Sequence, residues 1–575
     1  MATIRIGKPR ETVQAVFPDG RILEGPVGTK LSEFVAAAYP DPTVPAVAAL
    51  VDGELRELSE PLRRDAEIRP IFMTDSEGIR IYTRSLSFLL AAAAFELFPK
   101  ARLIIDHSVP FGGYYCRITG RLPFSSEELG RLESLMRAWV EKDIPIEKDI
   151  LPVAEAARIL QSQGLQRKAE LLSAEDPGQI PLYRLGNFRE YLFGPMVPST
   201  GYLRYFRLHP YHDGFILQFP RREKPTELAP VEDYQPLWQV FEEYGKWLEL
   251  LGVYDVWTVN EAIRTGRMTE VILVSEALHE QRIAQIAETI AERLPKIVLI
   301  AGPSSSGKTT FTKRLAIQLL ALGLRPYPIS LDDYFLPREE MARRGLTDFD
   351  DISAVDLPFF HAQMEDLLSG KEVTLPYFDF PTGQRKTGMK LRLDTEALVL
   401  VEGLHCLNPL VLPGDYRGAV FRIYVSALTQ LNLDDHVRIS TTDTRLIRRI
   451  VRDAAFRGYS AEQTLALWGN VRRGEKRFIF PYQGQADVMF NSALVYEWNV
   501  LRSRAEPLLL QVRHPRLRLE AERLLGILRW FKPYPGEEVP ATSILREFIG
   551  GGILAAYYPS PFERAAWRRQ YERVG

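Results

Sequence analysis

Ile297-Val298-Leu299-Ile300-Ala301 runs without a break into Gly302-Pro303-Ser304-Ser305-Ser306-Gly307-Lys308-Thr309. The first five residues are apolar and mostly β-branched, the mark of a strand buried on both faces. The next eight satisfy G-x-x-x-x-G-K-[ST]. Helical spacing then holds over 309–322, with Gly323 as a natural stop. A buried strand, a glycine turn and a helix in that order make a phosphate-binding loop. The glycines let successive N–H groups face one side, and the helix N-terminus adds partial positive charge. Lys308 supplies a point charge for β- and γ-phosphates, and Thr309 a hydroxyl for Mg²⁺. Gly302, Ser304, Ser305, Ser306, Gly307, Lys308, Thr309 and Thr310 are therefore the expected nucleotide-binding residues.

The loop alone does not separate a kinase from a GTPase or an ATPase motor. No N-K-x-D guanine signature occurs, which weakens the GTPase reading. Residues 326–330, 397–401 and 420–425 read as further buried strands, and 355–368 as a helix. That alternation predicts a parallel sheet covered on both faces, with ligands at the carboxyl ends of its strands. Two carboxylates fall there. Asp332, in Leu331-Asp332-Asp333-Tyr334-Phe335, is placed to accept a proton from a substrate hydroxyl and to face the metal. Glu402 ends the strand 397–401 as a second anchor for Mg²⁺ or its waters. Arg445, Arg448, Arg449, Arg452 and Arg457 cluster on one predicted helix and its exit. Such a run is ordinarily a solvated face; the competing use is to close cations over a transferring phosphate.

At 575 residues the chain exceeds what one core fills, so roughly three or four domains are expected. It is 46% hydrophobic and 25% charged, an ordinary globular composition, and its net charge of -2 gives no global basic field for nucleic acid. Cys116 and Cys406 are the two cysteines, in apolar surroundings, so no disulfide framework or cysteine zinc site is expected. With no export signal and no apolar span, the expectation is a cytoplasmic protein without a membrane anchor. The expected divisions are 1–73, a small sheet with one helix; 74–275, α+β; 276–510, α/β; and 511–575, a helical extension. Helices are predicted over 85–98, 125–141, 150–163, 276–293 and 507–530, the last with Pro507 in its opening turn.

Residues 294–510 resemble the uridine kinase and phosphoribulokinase family of P-loop kinases. The resemblance rests on GPSSSGKTT, LDDYF, DFDD, LPYFDF, VEGL and DTRLIRRIVRDAAFRG, in that order. It implies ATP and Mg²⁺, and transfer of the γ-phosphate to a hydroxyl of a small molecule, a nucleoside being the acceptor it suggests. It implies Asp332 as general base, with Lys308 and Arg452 as catalytic cations. Arg452 and Arg457 would touch phosphates, Asp350 the ribose hydroxyls, and Phe378, Phe380 and Arg449 the substrate. Thr309, Asp332 and Glu402 would stand on the metal side. Uridine-cytidine kinases place a tyrosine, a histidine, an arginine and a glutamine around the pyrimidine; the matching positions here are Phe378, Gly383, Tyr459 and Leu467. Catalytic and ribose positions are kept while polar base-reading positions are lost, so uridine is not expected to be read in the usual way.

Residues 1–72 resemble a TGS domain, a small β-grasp-like fold, through PDGR, the following helix and VDGEL. Residues 74–270 are similar to the second additional, editing domain of threonyl-tRNA synthetases through RSLSFLLAAAAFELFP, GGYYC and EYLFGPMVPSTGYLRYFRL. The H-x-x-x-H and C-x-x-x-H positions of that family carry Arg84, Phe88, Leu192 and Met196, none a zinc ligand of the expected type. Editing is therefore expected to be lost, leaving a scaffold, an RNA-binding surface or a regulator. His107, His209 and His212 do not restore the spacing and read as structural or surface residues. Three readings compete: a nucleoside-type kinase, a kinase of another alcohol such as a phosphorylated sugar, and an RNA-binding regulator switched by nucleotide. RNA contact through the front half and a homo-oligomer both stay open.

Overall fold

The computed structural model describes residues 10–40, 42–175, 178–232, 234–346, 349–379, 382–393, 397–412, 419–429 and 431–557. The first sheet has five strands in the order Ile22–Pro26, Thr12–Val16, Ala66–Phe72, Ala46–Val51, Glu54–Arg56. Alternation along Thr12–Val16 sends Val13 and Ala15 inward, where they meet Leu31, Phe34, Val35 and Ala38 of the helix Leu31–Ala38. Asp52 and Gly53 both have positive φ, as a two-residue hairpin turn requires.

Next comes the helix Ser76–Leu97, which begins earlier than the predicted residue 85. Arg80, Thr83 and Arg84 interrupt its apolar period, and Gly78 brings its first turn onto Phe72: a Cβ there would stand 1.9 Å from the Phe72 carbonyl oxygen. An antiparallel sheet runs Arg207–Tyr211, Gly214–Gln218, Gly113–Thr119, Arg102–Ser108, and a smaller one Phe188–Glu190, Gln179–Leu185, Glu147–Pro152. The helix expected over 150–163 is corrected: Ile150 belongs to the strand Glu147–Pro152, and the helix spans Val153–Ser162. Pro152 caps it in an extended conformation that its fixed φ favours. The helices Gln235–Leu251, Val256–Arg264 and Met268–Arg293 lead onward, and the last runs through the expected division at 275/276.

The predicted parallel sheet is present, in the order Arg325–Ser330, Ala397–Glu402, Ile297–Ala301, Val420–Ser426, Val488–Asn491. Every residue of the central strand Ile297–Ala301 is buried. The edge strand Val488–Asn491 escapes sequence reasoning, since four residues carry too little pattern. Several helices cover this sheet. Among them are the loop helix Lys308–Ala321, Leu357–Leu368, the arginine helix Thr441–Phe456 and Ala461–Phe478. An antiparallel hairpin, Val373–Asp379 with Gln384–Leu391, stands apart from the main sheet. The helix expected over 507–530 is also corrected. Pro507 lies inside the last turn of Glu497–Leu509, where its missing N–H leaves the Ser503 carbonyl without its intrahelical donor and the helix ends two residues later, and it is Pro515 that opens Pro515–Leu528.

Polar contacts tie the middle region to the parallel-sheet region. Asn432 Nδ2 donates to the carbonyls of Ile105 (2.9 Å) and Asp106 (3.0 Å), and Arg102 grips Asp435 with two bonds of 2.7 and 2.8 Å. Among the described residues no helix is long and apolar enough to cross a membrane.

Candidate active site

The loop sits where the central strand ends. A Cβ at Gly302 would lie 2.0 Å from the Val425 carbonyl oxygen, so only glycine fits. Gly307 caps the loop helix at φ 86°. From behind, Arg445 Nε donates to the Ser304 carbonyl (2.8 Å), Arg448 Nη1 to that of Ser305 (3.4 Å) and Ser492 Oγ to that of Ser306. A trans peptide points its N–H opposite to its C=O. Holding those carbonyls outward turns the amides of Ser305 and Gly307 into the concave side, while the Ser306 N–H closes the turn on the Pro303 carbonyl at 3.2 Å. The hydroxyls of Ser305 and Ser306 are buried without a hydrogen-bond partner among the described residues. Orphaned donors beside a helix N-terminus fit the oxygens of a bound phosphate chain. Lys308 Nζ spans the loop, donating to the carbonyls of Gly302 (2.9 Å) and Pro303 (3.2 Å).

The negative charges of two expected carboxylates, Glu402 and Asp332, act on this lysine and oppose the lowering that burial imposes. Glu402 accepts from Thr309 Oγ1 at 3.3 Å. Burial pushes its carboxyl up to about 7, with Asp332 and Glu547 adding to the rise and Lys308 opposing it. Asp332 lies in the turn Leu331–Tyr334; burial raises it, opposed by the charges of Lys308 and Arg457. Its neighbour Asp333, pushed up to about 7 chiefly by burial, turns instead to the hairpin, where it accepts the Phe378 N–H at 3.1 Å. Thr309, Asp332 and Glu402 thus offer the oxygen donors that Mg²⁺ takes.

The arginines divide in two. Arg445 and Arg448 are fully buried and paired with Glu475 and Glu497, so neither is a solvated face nor a cation over a ligand. They shape the loop from behind. Arg449, Arg452 and Arg457 gather on one carboxylate. Asp453, with no exposed surface, meets Arg449 Nε at 3.2 Å, Arg452 Nε at 3.7 Å and Arg457 Nη1 at 3.3 Å. Arg449, expected at the substrate, also donates to Ser304 Oγ at 3.0 Å and so stands on the phosphate loop. Burial lowers the Arg452 guanidinium to about 10, and Arg457 adds to that. Asp453 falls inside the arginine motif, yet nothing in the sequence assigns it a part.

On the acceptor side, Asp350 packs on Gly474 of the helix Ala461–Phe478, where a Cβ would stand 3.1 Å from the Asp350 Cβ. Phe378, expected at the substrate, stands in the apolar packing beside the hairpin. Its ring is 1% exposed, set edge-on to Phe335 and Phe349, because the hairpin must close its own apolar side; it is a core ring and offers no open face. Gly383 makes the hairpin turn at φ 66° against Arg338. Tyr459 and Leu467 are both exposed. Phe380 lies outside the described residues.

The four front-half positions do come together. Phe88, Leu192 and Met196 are buried in one apolar cluster, and Arg84 Nη1 donates to the Pro195 carbonyl at 2.8 Å. Glu57, from the first region, enters beside them, accepting from the Met196 N–H (3.0 Å), Lys148 Nζ (3.2 Å) and the Tyr183 hydroxyl. Among the described residues no group of three or more His, Cys, Asp or Glu is placed to hold a metal. His107 is buried and stacked on Phe241 at 3.7 Å, and His212 is stacked on Trp238 at 4.0 Å. His209 bonds Gln218 at 2.9 Å.

A parallel sheet with a phosphate loop at its centre, carboxylates at two strand ends and an arginine helix against the loop define a P-loop domain. Residues 297–496 match the Phosphoribulokinase / Uridine kinase family. In the N-terminal region the chain is similar to threonine–tRNA ligases. It is 34% identical over 193 residues to that of Methylibium petroleiphilum and equally to that of Carboxydothermus hydrogenoformans. These matches span 33% of this chain and 30% of those proteins. Among solved structures, a putative fructose transport system kinase from Silicibacter sp. TM1040 covers 36% of this chain and 98% of its own, at 20% identity and a TM-score of 0.29. A possible uridine kinase from Bacillus stearothermophilus covers 37% and 98%, at 19% identity and a TM-score of 0.26.

Proposed function

We propose that this chain is an ATP- and Mg²⁺-dependent kinase of a small hydroxyl-bearing acceptor. The observation that carries it is Glu402, bonded to Thr309 Oγ1 at 3.3 Å and sharing with Asp332 the charge of Lys308, beside a loop whose buried serine hydroxyls lack partners among the described residues. ATP supplies the phosphoryl group, and Mg²⁺ neutralises charge on its oxygens. The chain's own residues do the rest. The inward amides and Lys308 hold the phosphates. Thr309 and Glu402 offer oxygens to the metal. Asp332 accepts the acceptor's hydroxyl proton as the new O–P bond forms and the bond to ADP breaks. Arg449, Arg452 and Arg457, oriented by Asp453, balance the charge that develops on the transferred group.

The acceptor is a small alcohol held at its hydroxyls by Asp350. Polar reading of a pyrimidine finds little support: Phe378 is a buried ring, and the exposed Leu467 supplies no hydrogen bond. The test is ADP release from Mg-ATP with a panel of nucleosides, sugars and sugar phosphates. Turnover should appear with one class and fall by at least about 10³-fold in Asp332→Asn. Intact turnover in that variant would remove Asp332 as the base. The likeness of the front region to threonine–tRNA ligases favours a second reading, a nucleotide-switched RNA binder. No stimulated turnover, together with RNA binding that weakens steeply with salt, would select it.

A further inference from the structure

The segment 543–555 lies far along the chain from the phosphate loop yet packs directly against it. Ile544, Leu545 and Phe548 are fully buried. The Ile544 Cγ2 would stand 2.5 Å from a Cβ at Gly307, and the Arg448 guanidinium lies 5.0 Å over the Phe548 ring. Farther on, Lys313 Nζ donates to the carbonyls of Leu554 (2.7 Å) and Ala555 (3.2 Å). Between these anchors one carboxylate points at the loop helix. Glu547 Oε2 accepts from Thr310 Oγ1 at 2.9 Å and from the Thr310 N–H at 3.3 Å, and Glu547 Oε1 lies 3.7 Å from Arg452 Nη1.

The first-turn N–H groups of a helix have no partner within the helix, and the helix dipole favours negative charge beside them. Such a seat takes a phosphate oxygen or a carboxylate on the same terms. Here the chain's own carboxylate fills it, and the same side chain faces an arginine that the kinase reading assigns to phosphates. A nucleotide entering the loop meets an anion already on its donors. Gly550 and Gly551, both at positive φ, give the backbone a place to bend immediately after Glu547 and Phe548.

We propose that residues 543–555 form an autoinhibitory strap, with Glu547 as a resident anion that a nucleoside triphosphate must displace from Thr310 and Arg452. This rests on the reading that the loop binds nucleotide. The strap lowers apparent nucleotide affinity by the fraction of time that it is seated. A seated fraction of about nine-tenths corresponds to a tenfold effect.

Calorimetric titration of Mg-ATP into the full chain tests it. Glu547→Gln and Glu547→Ala are each expected to bind about tenfold more tightly than the unaltered protein. Hydrogen exchange of the unaltered protein gives a second measurement that needs no substitution: amides of 543–555 should lose protection when Mg-ATP is added. Unchanged or weaker binding in both variants overturns the proposal, as does rising protection of 543–555, which would mean that the segment closes on the nucleotide. Absence of binding in every form overturns the phosphate-loop reading itself, and the strap with it.

Discussion

The carboxylate of Asp453 accepts a hydrogen bond from Arg449 Nε at 3.2 Å, one turn earlier on the same helix. Spaced four apart, such a pair on an open surface is worth a few tenths of a kcal/mol. This one is different, because Asp453 has no exposed surface and also faces Arg452 and Arg457. It fixes three guanidiniums that would otherwise repel one another. Thr464 Oγ1, at 3.3 Å, holds the carboxylate from the next helix.

Replacing Asp453 by Asn keeps the shape and removes the charge. Turnover should fall on the order of tenfold to a hundredfold, with the KM of the acceptor little changed, because the arginines serve the transferred group. Steady-state ADP release separates the two constants. Wild-type kcat in this variant would show that the cluster is a matter of stability alone.

Arg448 and Glu497 make the opposite case. Both are fully buried, linked at 2.5 Å, and neither reaches the concave side of the loop. Removing one partner strands the other charge. Arg448→Met should therefore cost about 3–5 kcal/mol of stability in urea denaturation, and the double variant with Glu497→Leu should recover a large part of it. If the double variant is no more stable than the single, the pair is not what holds this position.

Glu402 gives a pH dependence with a definite sign. Its folded-state carboxyl stands at about 7 against an ordinary 4.5, so the folded protein holds its proton more tightly than the unfolded chain does. The stability that this proton contributes is fully present below pH 4.5 and is lost as pH rises through about 7. Glu402→Gln, which cannot ionise, should then be more stable than the unaltered nucleotide-free protein at pH 8, by on the order of 2–3 kcal/mol. The gap should close as pH falls below 5. Melting curves at several pH values measure it, and a constant gap would mean that Glu402 keeps an ordinary carboxyl.

What could be read from the sequence was what lies within one element or at its end. The spacing of residues 297–309 carried the strand, the loop and the helix. Asp332 stands two residues beyond one strand and Glu402 is the last residue of another, so their place at the crevice is a matter of counting. The partners of those groups were not legible. Glu547 meets Thr310 across a separation of 237 residues, and Glu475 meets Arg445 across 30. Nothing in local spacing marks either glutamate as different from a solvated one. The five arginines show the same limit: their periodicity announced a helix but could not say which would be sealed inside by Glu475 and Glu497 and which would turn to the loop. Phe378 read as a ligand contact because its motif is shared, whereas its burial depends on Phe335 and Phe349 closing over it.

Gly474 separates packing from acceptor binding. Within the helix Ala461–Phe478 a glycine costs up to about 1 kcal/mol against alanine, so Gly474→Ala by propensity alone would stabilise the protein. The added methyl would, however, stand 3.1 Å from the Asp350 Cβ and 3.2 Å from its carbonyl oxygen. The segment bearing Asp350 must then shift by a few tenths of an ångström. A residue that positions a substrate hydroxyl loses by such a shift, while a residue that merely covers a helix does not. The expected outcome is a melting temperature equal to or above that of the unaltered protein, a several-fold rise in the KM of the acceptor, and an unchanged KM for ATP. Should both KM values stay where they were, Asp350 does not hold the acceptor.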